Sequence, residues 1–222
     1  MTLNCTLPLR LLVAAAVASA TCHSASILSV TGPPDGAGLG IFASQWEATS
    51  FTVSQPYADV TVNVDLVGSF TGTAYLMRQI GPGTTVANEI TDNPFTSTSG
   101  SSGAFQTVFQ HVSLAGAGTY FVVLTTAVSN VPQGIVTTKA PIVVADPGVS
   151  NGIFYSATNS TTPPYAPDAN FTAYSNVFGV FGEYTVVANA AAVPEPANLA
   201  LAGVGFLLAF AISRRKRTSP GR

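Results

Sequence analysis

Val60, Val62, Val64 and Leu66 stand at every second position of one run, with Thr61, Asn63 and Asp65 between them. A strand turns successive side chains to opposite faces, so this run puts an apolar set on one face and a polar set on the other. A helix would scatter the same residues around its circumference. The spacing therefore predicts a half-buried strand over residues 58–67. Residues 49–54 and 72–80 bracket it and are predicted as its neighbours. Pro82-Gly83 marks a turn, and residues 96–103 (TSTSGSSG) are predicted as a flexible loop. Residues 105–114 and 119–127 form the next predicted pair, joined by Ala115-Gly116-Ala117-Gly118. Tyr120 to Leu124 is apolar on both faces and is predicted as a central strand. Later strands are expected at 142–145, 153–156 and 177–187, and residues 159–167 (NSTTPPYAP) as a proline-rich loop. No helical stripe interrupts this series. Many short strands broken by Gly and Pro turns predict an all-β fold, an antiparallel β-sandwich of jelly-roll-like type.

Charge and cysteine content narrow the functions open to such a body. Residues 27–187 hold nine acids against Arg78 and Lys139, a net charge of −7. Nucleic acid binding needs clustered Lys and Arg, so no nucleic-acid partner is expected. Cys5 and Cys22 both lie near the N-terminus, and residues 27–187 contain no cysteine. No internal disulfide can staple this body, and its stability must come from buried apolar area.

Catalysis needs groups that ionise near neutrality, and the body offers one histidine, His111, in a predicted strand. Gly68-Ser69-Phe70-Thr71-Gly72 places phenylalanine where a nucleophile elbow needs serine. One imidazole cannot supply a zinc ligand set, so no metal ligands are assigned. Asp59 and Asp65 share a strand face but lie about 20 Å apart along it, too far for a glycosidase pair. Acids from separate strands remain open as an alternative. No cofactor is expected. Calcium, held by carboxylates and loop carbonyls, is the one ion left open. The Gly36-Ala37-Gly38-Leu39-Gly40 stretch has no strand and helix around it and reads as a loop. Aromatic residues offer a platform for sugar rings, with Trp46, Tyr155 and Tyr165 as candidate ligand-binding positions.

The two ends carry addresses. Arg10, the apolar run 11–18 and the small residues Ala18-Ser19-Ala20 form a signal-peptide pattern, with cleavage after Ala20 or after Ala25. Near the other end, Val193-Pro194-Glu195-Pro196 precedes an uncharged apolar run, which ends in Arg214-Arg215-Lys216-Arg217. As a helix, residues 197–213 would reach about 25 Å, slightly short of the ~30 Å hydrocarbon core. The basic cluster after the run is what a stop-transfer segment needs and places that end in the cytoplasm. Two prolines deny the preceding segment both helix and sheet pairing, leaving an extended strand for an enzyme at the membrane surface.

In this order, the three parts resemble the PEP-CTERM sorting signal of Gram-negative bacteria. The resemblance implies recognition by an exosortase and cleavage near Pro194-Glu195-Pro196. It also implies transient residence in the inner membrane, then display on the cell surface or in an extracellular polysaccharide matrix. The expected organisation is a signal peptide (1–26), a β-sandwich ectodomain (27–187) and a linker with the Pro-Glu-Pro motif (188–198). A transmembrane helix (199–213) and a basic cytoplasmic tail (214–222) follow. The expected function is a non-enzymatic surface or biofilm-matrix protein with extracellular polysaccharide as candidate ligand. The alternatives are a surface glycan-active enzyme and a passive structural matrix protein.

Overall fold

The computed structural model describes residues 24–34, 38–100, 103–127, 133–158 and 170–189. Tyr165, the sorting motif, the expected membrane helix, the basic tail and residues 1–23 of the signal peptide lie outside the described residues. Among the described residues, no helix is long and apolar enough to cross a membrane.

In chain order the strands begin with β1 (Ser24–Thr31), β2 (Leu39–Gly40), β3 (Gln45–Val53), β4 (Tyr57–Val67) and β5 (Ser69–Met77). Next come β6 (Glu89–Thr98), β7 (Ala104–Leu114), β8 (Gly118–Thr125), β9 (Gly134–Ile135) and β10 (Thr137–Thr138). The last are β11 (Ile142–Ala145), β12 (Val149–Thr158), β13 (Asn170–Ala173), β14 (Phe181–Gly182) and β15 (Tyr184–Asn189). One short helix, α1 (Tyr174–Phe178), and a 3-10 turn at Val86–Asn88 complete the described elements.

The strands form two large antiparallel sheets. A seven-stranded sheet runs β11-β1-β15-β4-β9-β2, with β7 on the other edge of β4. A six-stranded sheet runs β13-β12-β3-β8-β5-β6, and β10 pairs with β14 separately. One apolar cluster joins the two large sheets. It takes Val60, Val62, Val64, Leu66, Phe109 and Tyr184 from the first, and Phe51, Leu76, Tyr120, Val122 and Phe154 from the second. The Phe51 ring stacks on Tyr120 at 5.7 Å. The Tyr184 hydroxyl crosses between the sheets, 2.8 Å from the Ser50 carbonyl oxygen and 2.7 Å from Asn151 Oδ1. The valine row of β4 is thus the middle of the core, as its alternation predicts.

Neighbours in sequence are not neighbours in the sheet, and here the expectations are corrected. β3 and β5 bracket β4 in the chain but lie in the opposite sheet, while β4 pairs with β15, β7 and β9. The predicted pair of residues 105–114 and 119–127 also separates, with β7 in one sheet and β8 in the other. The connections are too short to show this in a sequence. Gly68, at φ 95°, is the single residue between β4 and β5, and this left-handed turn swings the chain across the sandwich. Only β5 and β6 among these form a direct hairpin. Residues 96–98 of the predicted flexible loop are the end of β6, with Ser97 buried and its hydroxyl bonded to the Gly68 carbonyl. The strand predicted over 177–187 is broken in two, with α1 ending at the left-handed Gly179 and pairing resuming at β14 and β15. β1 starts at Ser24 and β15 runs to Asn189, so the sheet extends beyond residues 27 and 187 at both ends.

β4 changes partner at Asp65. Up to Val64 its edge pairs with β15, and from Leu66 it pairs with β9. At the junction Asp65 donates its N–H to the Glu183 carbonyl, Glu183 to that of Val136, and Val136 to that of Asp65, at 2.9, 3.0 and 2.9 Å. This closed ring satisfies three backbone donors where two strands part.

The register gives a direct test. Val62 is fully buried and Thr61, its neighbour, is only partly covered on the outer face. Val62→Asp leaves an uncompensated charge in the core and should cost on the order of 3–5 kcal/mol. Thr61→Asp should stay within about 1 kcal/mol of wild type. Chemical denaturation followed by circular dichroism checks both, and equal damage would mean that the two faces are wrongly assigned.

Candidate functional site

The outer face of the six-stranded sheet is built from the side chains that alternate with its core residues. In β5, Phe70, Ala74 and Leu76 point inward and Thr71, Thr73 and Tyr75 outward. In β8, Tyr120, Val122 and Leu124 point inward, and Phe121, Val123 and Thr125 outward. The pairing register arranges the outward residues in rows across the strands. One row is Tyr155, Ala48, Val123, Tyr75 and Asp92. The next pairs Ala157 with Trp46 on one side and Thr125 with Thr73, and Thr73 with Pro94, on the other. A third begins with Thr71 and Thr96.

These rows divide the face by chemistry. One part is aromatic and closed. Trp46, Ala48, Met77, Val123 and Ala157 are buried in a second apolar cluster, separate from the main core, against Tyr75, Phe121, Tyr155 and Phe171. The other part is open and hydroxylic. A groove of about 830 Å³ is lined there by Trp46, Thr71, Thr73, Pro94, Thr96 and Thr125, with Ala43, Gly72, Phe95, Thr126 and Ala127 completing its described walls. A volume of this size is ordinary for a small-molecule or short oligomeric ligand. Trp46 belongs to both parts: it is only 3% exposed and still forms one wall of the groove.

The groove is uncharged along all its described lining. Thr125 donates its hydroxyl to the Thr73 carbonyl at 3.1 Å, and Thr126 donates to the Thr71 carbonyl at 2.7 Å. The hydroxyls of Thr71, Thr73 and Thr96 have no hydrogen-bond partner among the described residues. Each threonine offers a donor and acceptor beside a methyl group, a surface suited to a ligand with hydroxyls and C–H faces. Gly72 is required beneath it, because a Cβ there would run into the Thr125 carbonyl oxygen and the Phe95 ring.

The sequence-predicted positions separate accordingly. Trp46 enters the groove. Tyr155 is half-buried in the aromatic part, with ring centroids 6.0 Å from Phe121 and 6.5 Å from Phe171, and burial raises its hydroxyl pKa. Tyr165 lies outside the described residues. Nothing in the sequence marks the threonines as a set, because they come from three strands whose order in the sheet is not that of the chain. Thr71 and Thr73 do show as an alternating polar pair in the sequence, the one local signal available.

Acids do come together, but elsewhere. Asp65 and Glu183 face each other across the junction on the outer side of the seven-stranded sheet, the opposite side of the molecule from the groove. Asp65 Oδ1 and Glu183 Oε1 are buried without a hydrogen-bond partner. Burial pushes the Asp65 carboxyl up to about 6, and burial together with the Asp65 charge raises that of Glu183. No group of three or more His, Cys, Asp or Glu suited to a metal occurs among the described residues. His111 is exposed in β7, with Nδ1 hydrogen-bonded to Asp59 of β4, and both residues have left-handed backbones at irregularities of the β4–β7 pairing.

Glu47 is the most deeply buried acid. It points from β3 into the sandwich, fully covered, and its Oε1 accepts from Gln45 Nε2 and from the Ser156 hydroxyl, both at 2.8 Å. Oε2 has no partner, and burial pushes the carboxyl up to about 8.

Residues 192–216 match the family model of the PEP-CTERM protein-sorting motif. The chain carries a PEP-CTERM sorting signal. The match includes Val193 to Pro196 and the basic residues from Arg214 to Lys216, and it covers none of the described body. A PEP-CTERM signal implies processing by an exosortase, with membrane-associated sorting and export to the cell surface. No curated protein and no solved structure matches the chain.

Glu47 sets a pH dependence. Its folded pKa lies above the ordinary value of about 4.5, so the folded state holds a proton that the unfolded state releases. This contribution to stability is fully present below about 4.5, falls as pH rises, and is lost once pH passes about 8. The slope across that window is about 1.4 kcal/mol per pH unit for one proton. Glu47→Gln should flatten the stability curve by about that amount. Denaturant titrations from acid to mild alkali check this, and parallel curves for the two proteins would contradict a buried neutral Glu47.

Proposed function

We propose that this chain is a non-enzymatic surface protein of a Gram-negative bacterium, delivered by its sorting signal to the cell surface or the extracellular polysaccharide of a biofilm. There its body binds neutral glycan through the threonine groove. The fold is read as jelly-roll-like, since successive long strands cross between two antiparallel sheets. The observation that carries the binding reading is the groove. It joins one tryptophan wall to three hydroxyls that have no partner among the described residues, and it has no charge along its described lining. Hydroxyl-rich, uncharged rings suit those walls, and an anionic polymer would be repelled by a body of net charge −7. The two facing acids, Asp65 and Glu183, sit on the other sheet and do not line the groove, which favours binding over glycoside hydrolysis there.

Two experiments test this reading. For binding, Thr71→Glu and Thr96→Glu change exposed positions and spare the core. Each should leave the melting curve near wild type and weaken retention on neutral polysaccharide in affinity electrophoresis by about tenfold. Trp46→Ala should both weaken binding and cost about 3–5 kcal/mol, because Trp46 also fills the aromatic cluster. If wild type is not retained by any neutral glycan, the passive structural role replaces this one; if the threonine variants bind equally well, the groove is not the site. For sorting, replacing Pro194, Glu195 and Pro196 by alanine should leave uncleaved chain in the inner membrane. Mass spectrometry of the C-terminus reads this, and identical termini in mutant and wild type would refute the processing step.

A further inference from the structure

We propose that β11 is an assembly edge through which two copies of this chain pair antiparallel about a twofold axis, joining their seven-stranded sheets into one. Among the described residues β11 is the outermost strand of its sheet, bonded on one side to β1 and unpaired on the other. Ile142, Val143 and Val144 are 60%, 44% and 65% exposed, and Ala145 is exposed with them. Natural edge strands are blunted by inward charges, lysines, prolines or bulges within the strand. β11 is short, at four residues, but carries no charge, proline or bulge within it; Pro141 and Pro147 stand outside it.

The register shows which backbone groups are open. Asp146 donates its N–H to the Ile27 carbonyl at 2.9 Å, one step beyond the Ala145–Leu28 pairing. In an antiparallel ladder hydrogen-bonded pairs alternate, so Val144 and Ile142 bond β1 as Asp146 does. Val143 and Ala145 therefore turn their N–H and C=O groups away from β1. A second β11 running antiparallel places Val143 of one copy against Ala145 of the other, and the reverse, satisfying all four donors. The two Val144 residues then face each other across the axis, in the closer, non-hydrogen-bonded type of pair.

Charge selects a second copy over an unrelated strand. Lys139, one of two bases in residues 27–187, precedes β11, and Asp146 follows it; both are exposed. In this register Asp146 lies opposite Ile142 of the other copy, three positions from its Lys139, so antiparallel self-pairing sets opposite charges on the same side of the axis, twice per dimer. A parallel arrangement would put like charges together.

The test uses the full chain in detergent, with Cys5 and Cys22 replaced by serine. Sedimentation velocity should show a concentration-dependent dimer. Val143→Pro removes an N–H that β1 does not use, and it should weaken dimerisation by about tenfold or more with an unchanged circular dichroism spectrum. Lys139→Asp should weaken it as well, and the double variant Lys139→Asp/Asp146→Lys should restore it. Val144→Cys should form an intermolecular disulfide under mild oxidation. A chain that stays monomeric at every concentration overturns the proposal, as does a Val143→Pro dimer of wild-type affinity. Failure of the charge swap to restore pairing overturns the antiparallel arrangement. Glycan retention reads the groove on the other sheet, so the outcome here stands apart from the binding reading.

Discussion

The inward row of β4 is what the rest of the fold is arranged around. Val60, Val62, Val64 and Leu66 are all fully buried, and the strand that carries them is paired on both edges. With no cysteine among residues 27–187, no disulfide holds the two sheets together. Their contact rests on this row meeting Phe51, Leu76 and Tyr120 from the other side, with the Tyr184 hydroxyl spanning the gap. A strand so enclosed cannot shift register by one residue without turning its whole apolar set outward. That fixes the phase of β15, β7 and β9 along it, and places Asp65 where two of them part.

How much of this could be read from the residues depended on whether the information was local. The alternation in β4 and the doubly apolar run in β8 follow from period and composition alone, and both are found. Which strand lies beside which is different, because β3, β4 and β5 cross between sheets through connections of one to three residues. Short turns usually mean hairpins. Here Gly68 permits a crossing that nothing else in the sequence announces. The loop reading of residues 96–98 failed for a related reason: small polar residues suggest solvent, yet Ser97 is buried because its hydroxyl has the Gly68 carbonyl to bond.

The groove illustrates the same limit. Trp46 was legible as a candidate because tryptophan is rare here, occurring once in the chain. Its partners are threonines, ordinary surface residues of any β-protein, and only the register of β8, β5 and β6 collects them beside it. A single side chain joins the closed aromatic part of that face to its open part. Sandwich outer faces are usually solvated, so an apolar cluster there has to be kept covered, and Trp46 shares in both tasks.

β1 and β15 pair from Ser24 with Asn189, so the chain enters and leaves the described fold side by side. Asn189 is five residues from Pro194. Even fully stretched, that length of chain reaches only about 17 Å. An exosortase that cuts near Pro194, as the sorting proposal expects, would work within a strand's length of the folded domain. After transfer the domain would ride on a leash shorter than its own strands.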